Sequence, residues 1–197
     1  MKVLGIRGSP RRGSNSTALL GHLLAGARDA GAETELITPW RLQIKPCLAC
    51  DGCIDDGRCV IDDDFQHVRD SILSSDALVL ATPVYFGAVS AQLKALIDRC
   101  QSFWNQISIL KKPLPPGPAG NPRRGVLIAT AGQDREIMFA GPRVTFDFFM
   151  RSLQGEVFGE LCYGDLDEPR AVTQDRSAMG RAYKMGQTLA RSSADDR

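Results

Sequence analysis

The stretch Lys2-Val3-Leu4-Gly5-Ile6-Arg7-Gly8-Ser9-Pro10-Arg11-Arg12-Gly13-Ser14-Asn15-Ser16-Thr17-Ala18-Leu19-Leu20 carries the pattern that decides the fold. Lys2–Arg7 is a short apolar run of the kind that forms a buried strand. From Asn15 the spacing changes, and Leu19, Leu20, Leu23, Leu24, Ala27 and Ala30 follow the stripe of a core-facing helix. The loop between them, Gly8 to Thr17, has small residues for close backbone approach, the hydroxyls of Ser9, Ser14, Ser16 and Thr17, and the guanidinium groups of Arg11 and Arg12. It ends at a helix N-terminus, whose free N–H groups favour an anion. Together these suit a terminal phosphate dianion better than a polar turn in which Ser14 or Asn15 only caps the helix. Two other nucleotide loops fail. After Gly8 and Gly13 comes Ser14-Asn15, without the lysine of a Walker loop, and Gly5-Ile6-Arg7-Gly8 does not give Gly-x-Gly-x-x-Gly. Nor does the second strand end in an acid that could hold a ribose, because Ile37 is followed by Thr38-Pro39.

Working outward, four more strands are expected at Glu33–Ile37, Asp76–Thr82, Gly125–Thr130 and Glu156–Cys162. Helices are expected from Asn15 to Ala30, Phe65 to Ser74, Ser90 to Trp104, Arg143 to Leu153 and Thr173 to Ala190. Alternating strands and helices predict an α/β fold, a doubly wound parallel sheet with helices on both faces, although periodicity alone does not give the strand order. Asp62-Asp63-Asp64 is read as a cap for the second helix rather than a cation site. The proline-rich Lys112 to Arg124 reads as a surface loop, with Arg123 and Arg124 solvated. A single domain over 1–190 is expected, with 191–197 as a frayed tail.

With 197 residues, 43% apolar, the chain can bury one ordinary core. Its 24 basic and 23 acidic residues balance to +1, so nothing points to nucleic acid or a membrane surface. The longest apolar run, Ala77 to Ala81, falls far below the roughly 20 residues of a membrane span. The N-terminus has no signal-peptide pattern, and a cytoplasmic location is expected, where six cysteines suggest metal or redox chemistry rather than disulfides.

A second loop, Thr82-Pro83-Val84-Tyr85-Phe86-Gly87, follows the most apolar strand. A proline, two aromatics and a glycine there suit a rigid wall against which a planar ring stacks; the plainer reading is a tight turn whose aromatics join the core. With these loops on the page, Gly8-Ser9-Pro10-Arg11-x-x-Ser14-Asn15, Pro83-Val84-Tyr85-Phe86 and Gln92-Leu93-Lys94-x-x-Ile97-Asp98-Arg99 resemble the NADPH-dependent FMN reductase family. The resemblance covers about Met1 to Gln101. It implies a flavodoxin-like fold of five parallel strands in the order 2-1-3-4-5, bound FMN, NAD(P)H as electron donor, and a homodimer or homotetramer. It also implies that Ser9, Arg11, Ser14, Asn15, Ser16 and Thr17 take the flavin phosphate. Pro83, Val84, Tyr85, Phe86 and Gly87 would line the ring, and Thr130 and Gly132 would add a third loop.

Cys47-x2-Cys50-x2-Cys53-x5-Cys59 is the remaining motif. Successive x2 spacings let a turning loop aim three thiolates at one small volume, as a [4Fe–4S] cluster needs. A structural zinc usually draws on two separated knuckles, and a cysteine-rich loop without metal is the third reading. Within the family, the segment most resembles that of the iron–sulfur flavoproteins. Cys100 and Cys162 stand alone and read as buried apolar residues; His22 and His67 read as surface residues. The function expected is an FMN-dependent oxidoreductase, with no protein acid or base demanded. The alternatives are an electron-transfer module coupling a ferredoxin-like partner to FMN, and a non-enzymatic flavin-binding scaffold.

Overall fold

The computed structural model describes residues 1–191. Five strands, β1 (Lys2–Arg7), β2 (Glu33–Ile37), β3 (Ala77–Pro83), β4 (Arg124–Thr130) and β5 (Glu156–Tyr163), form one parallel sheet in the order β2-β1-β3-β4-β5. Each expected strand is present to within one residue at either end. The helices are α1 (Asn15–Asp29), α2 (Phe65–Leu73), α3 (Ala91–Arg99), α4 (Gln101–Ser108), α5 (Ile137–Ser152) and α6 (Arg176–Arg191). Arg191 closes α6; the rest of the expected tail lies outside the described residues.

The period-2 alternation of the buried strands sorts their side chains between two cores. Leu4, Ile6, Leu78, Leu80 and Leu127 meet Phe65, Val68, Leu93, Leu96, Phe103 and Phe149 from α2, α3, α4 and α5. Val3, Val79, Val126 and Ile128 face the other way, onto Leu19, Leu23, Leu24, Met179, Ala182 and Leu189 from α1 and α6. The helices of this second layer touch backbone to backbone. A Cβ on Gly26 would overlap the Tyr183 carbonyl, and one on Gly186 would overlap that of Leu23.

Four expectations need correction. The helix expected from Ser90 to Trp104 is two, because the chain tightens at Cys100, whose N–H donates to Ile97 O at 2.9 Å, three residues back. On the second of them Trp104 is about half exposed, while Ser102 and Asn105 are buried. Helix α5 begins at Ile137 and not at Arg143; it runs through Gly141-Pro142, giving up one intrahelical bond near its start. The acidic run does not cap α2 in the usual way. Asp63 Oδ1 accepts from the Phe65 N–H at 3.0 Å, and Asp64 reaches back to the Gln43 N–H at 2.7 Å. Finally, Arg123 is buried, not solvated. Its guanidinium donates to the carbonyls of Ile72, Leu73, Pro115 and Pro116, so the positive charge sits at the C-terminal end of α2, where the helix dipole favours it.

Candidate functional site

At the carboxyl ends of β1, β3 and β4 lies a polar cavity of about 200 Å3. It is lined by Ser9, Arg11, Gly13, Ser14 and Asn15 from the first loop, Pro83, Val84 and Tyr85 from the second, and Thr130, Ala131 and Gly132 from the third. The loops are stitched together in sheet order. Gly8 N donates to Ala81 O at 2.7 Å, and the Ser90 hydroxyl donates to Gly8 O at 2.6 Å. Val84 N donates to Thr130 O at 2.8 Å. A parallel sheet leaves such loop ends adjacent, which is why ligands of open α/β folds collect there.

The predicted residues divide into two groups. Ser9, Arg11, Ser14, Asn15, Pro83, Val84, Tyr85, Thr130 and Gly132 line the cavity; Ser16, Thr17, Phe86 and Gly87 do not. Ser16 is fully buried, its hydroxyl 3.0 Å from that of Ser14, and the Thr17 hydroxyl accepts from Arg7 Nε at 3.1 Å. The Ser14 oxygen also accepts from the Thr17 N–H and so caps α1. Asn15 is occupied at both ends: its amide nitrogen donates to the Leu166 and Glu168 carbonyls, and its oxygen accepts from the Val172 N–H.

Those contacts reveal a fourth wall that sequence reasoning missed, the loop Asp165–Arg170 after β5. Leu166 and Asp167 line the cavity, Arg11 Nη1 donates to Asp167 O at 2.7 Å, and Arg170 N donates to Gly13 O at 2.8 Å. Its signal was available: a dense run of turn-forming polar residues at the carboxyl end of a strand, as in the first loop.

Tyr85 and Ala88 exchange backbone hydrogen bonds of 3.0 Å, closing a tight turn with Phe86 (φ 50°) and Gly87 (φ 72°) at its centre. A turn with two left-handed residues is easy for glycine and costly for phenylalanine. Phe86 is also fully exposed, so no packing repays that strain. Strained, exposed aromatics of this sort concentrate at binding sites.

The second cavity is smaller, enclosing about 30 Å3, and Cys47, Cys50, Cys53 and Cys59 all line it. Cys47 and Cys50 are exposed on its outer side, while Cys53 and Cys59 are half-buried. One left-handed residue stands in each spacer: Ala49 (φ 49°), Asp51 (φ 58°) and Gly57 (φ 80°). These reversals coil the segment so that the four thiols share one volume. Among the described residues, no three His, Cys, Asp or Glu side chains converge closely enough to hold a single metal ion. A cubane binds each thiolate to a different iron, so its four sulfurs stand farther apart than the ligands of one ion.

The inner wall of this cavity comes from α3 and α4. Arg99 Nε donates to Cys59 Sγ at 3.1 Å, and Asn105 Nδ2 donates to Cys53 Sγ at 3.1 Å. Arg99 also forms a fully buried, two-pronged ion pair with Asp63, at 2.7 and 3.1 Å. Burial works to raise the Asp63 pKa, but the hydrogen bonds from Arg99, Lys45 N–H and Phe65 N–H outweigh it and hold the carboxyl below the usual range. Burial pushes the Cys53 thiol up, with the Asn105 hydrogen bond opposing. Cys100 is buried and its thiol strongly raised by desolvation, and burial pushes Cys162 up to about 11. Neither lines either cavity. His22 and His67 are exposed on α1 and α2.

A doubly wound parallel sheet in this order, with a polar cavity across the ends of its central strands, defines a flavodoxin-like protein. The chain belongs to the NADPH-dependent FMN reductase family, whose model matches residues 1–140. It is 42% identical over 99 residues to an iron–sulfur flavoprotein of Methanosarcina thermophila, covering 50% of this chain and 52% of that one. With an iron–sulfur flavoprotein of Methanocaldococcus jannaschii it shares 35% identity over 156 residues, 76% of this chain and 71% of that one. The match to the first of these relatives spans about half of its length. Among solved structures, an NAD(P)H:quinone oxidoreductase from Methanothermobacter marburgensis superposes with a TM-score of 0.76 at 18% identity, over 96% of both chains, a likeness of fold. No helix among the described residues is long and apolar enough to cross a membrane.

Proposed function

We propose that this chain binds FMN in the first cavity and acts as an NAD(P)H-dependent oxidoreductase toward a flavin, quinone or similar small acceptor. The observation that carries the reading is the convergence of the Ser9–Asn15 loop, the Pro83–Tyr85 turn and Thr130–Gly132 on one cavity at the strand ends, in a chain of the FMN reductase family. When bound, the flavin supplies hydride acceptance and the conversion between two-electron and one-electron transfer. The protein's part is to bind, orient and exclude water. Arg11 and the start of α1 would hold the phosphate, Tyr85 would flank the ring with the exposed Phe86 beside it, and the Thr130–Gly132 loop would form the third wall.

The second cavity favours an addition to this reading: a [4Fe–4S] cluster on Cys47, Cys50, Cys53 and Cys59 that exchanges single electrons with a ferredoxin-like partner. The coiled segment, four thiols on one cavity and two N–H donors aimed at sulfur support it. We also propose a homo-oligomer; the exposed apolar side chains of Trp104, Val144 and Phe148 on α4 and α5 suit a subunit contact. Free thiols at all six cysteines suit a reducing cytoplasm.

One experiment tests both cofactors: an anaerobic visible spectrum combined with flavin, iron, sulfide and zinc analysis. About one FMN and four irons and four sulfides per chain are expected. Riboflavin binding as well as FMN removes the phosphate site from the reading, and stoichiometric zinc removes the cluster. Replacing Tyr85 by Ala should shift flavin affinity or potential while the apoprotein stays folded; an unfolded apoprotein would make Tyr85 a core residue.

A further inference from the structure

We propose that Arg99 and Asn105 are positioning residues for the iron–sulfur site, each raising its reduction potential through one hydrogen bond to a ligand sulfur. This rests on the cluster reading of the second cavity. The bonds go to Cys59 and Cys53, the two half-buried thiols, both at 3.1 Å.

Neither donor is free to aim elsewhere. The Arg99 side chain is completely buried, and its other nitrogens are committed: Nη1 to Lys45 O and Asp63 Oδ2, Nη2 to Ile61 O and Asp63 Oδ1. Its plane lies over the Phe65 ring, 4.7 Å from the centroid. These contacts lock the guanidinium plane and leave Nε–H directed at sulfur. Lys45 and Ile61 flank the cysteine segment, so the same side chain closes the loop's two ends and points into it. Asn105 is buried, and its amide oxygen accepts from Gln101 Nε2 at 3.0 Å, which leaves the amide nitrogen to face Cys53.

A structural role alone does not demand this chemistry. Holding a loop against two helices is done more cheaply by apolar side chains, since a buried guanidinium must be desolvated and then paired. What two N–H donors add is stabilisation of negative charge on sulfur. Thiolates carry more of it than thiols, and a cluster that has accepted an electron carries more on its sulfurs than one that has not. Hydrogen bonds to sulfur therefore favour the reduced form and raise the potential. Asp63 offsets the net charge of Arg99 but leaves the Nε–H dipole in place, so the effect is local to Cys59.

The test uses the whole protein, reconstituted anaerobically with iron and sulfide, in two variants. Asn105→Leu removes one donor at nearly constant volume; Arg99→Lys keeps the charge and removes the Nε–H. Iron and sulfide content, the cluster's midpoint potential from a dye-mediated titration followed by electron paramagnetic resonance, and the g-values are read for each. Both variants should retain four irons and their flavin, with the potential lowered by about 59 mV, a tenfold shift in a one-electron equilibrium. The g-values should change with it. An unchanged potential in both variants, or loss of iron in place of a shift in both, overturns the proposal and leaves the cluster reading intact. A wild-type protein that rebuilds no iron chromophore overturns the cluster reading and this inference together.

Discussion

The two cavities are built on opposite principles. The first stands on the sheet: its walls are the loops that leave β1, β3, β4 and β5, and backbone hydrogen bonds tie each loop to its neighbour in strand order. The second has no strand under it. Between the short 3-10 turn Pro39–Arg41 and Phe65 no helix or strand forms, and the cysteine segment is hung from α3 and α4 by side chains, chiefly Arg99, Asp63 and Asn105. Helix α3 joins the two. Ser90 at its start holds Gly8 and Arg99 at its end holds Cys59, a separation of about 14 Å along the axis. A site carried by backbone geometry tolerates the loss of one side chain. A site carried by a few buried polar side chains is costlier to disturb where the partner of a buried charge is removed.

The largest expected effect comes from Asp63. Replacing it with Ala leaves Arg99 buried and unpaired, which should cost about 3–5 kcal/mol in urea unfolding. The exposed Lys94–Asp98 pair on the same helix is the control, and Asp98→Ala should cost less than about 1 kcal/mol. Similar costs for the two would break the comparison. The Asp63 contribution also has a pH signature. Its folded pKa is depressed, so the stabilisation is complete above the unfolded value of about 3.9 and is lost as pH falls through the lower folded value. Asp63→Asn should lower stability at neutral pH and flatten that acid limb in thermal melts taken downward from about pH 5.

Next in size is Arg11→Ala. Loss of a charge-assisted bond to phosphate, worth about 1.5–3 kcal/mol, should weaken FMN roughly 10- to 100-fold in fluorescence titrations, with riboflavin unaffected and little change in unfolding. A large loss of stability would show that the Arg11–Asp167 contact holds the loop as much as it serves the ligand.

The smallest effect sharpens the contrast from the other side. Phe86 is left-handed and fully exposed, so Phe86→Gly relieves about 1–2 kcal/mol of strain, partly offset by the added freedom of glycine in the unfolded chain. The apoprotein should become more stable by about 0.5 kcal/mol while flavin affinity falls. A destabilised variant would place Phe86 in a packing role.

Much of this is legible in the sequence alone, and the departures share a cause. The strand ends, the α1 stripe and the loop at Gly8–Thr17 follow from local periodicity and turn chemistry, which neighbouring residues dictate through sterics and alternate burial. The start of α5 was misjudged because Gly141-Pro142 is a breaker in isolation, whereas packing of Phe139, Phe146 and Phe149 carries the helix through it. Arg123 looked solvated because nothing nearby in sequence shows the carbonyls of Ile72 and Leu73 that receive it. Within the first site, Asn15 was named for a ligand but is committed to the loop after β5, a contact across more than 150 residues.

The sequence by itself therefore determined the class of fold, the place of the Gly8–Thr17 loop and the set of four clustered thiols, since each is written in spacing and composition over short stretches. Only the tertiary structure decided which hydroxyls face the first cavity, which thiols are sheltered in the second, and that Arg99 and Asn105 reach their sulfurs. Those outcomes depend on where a buried charge or amide finds its partner, and satisfaction of buried polar groups is settled by distant segments brought together, not by local pattern.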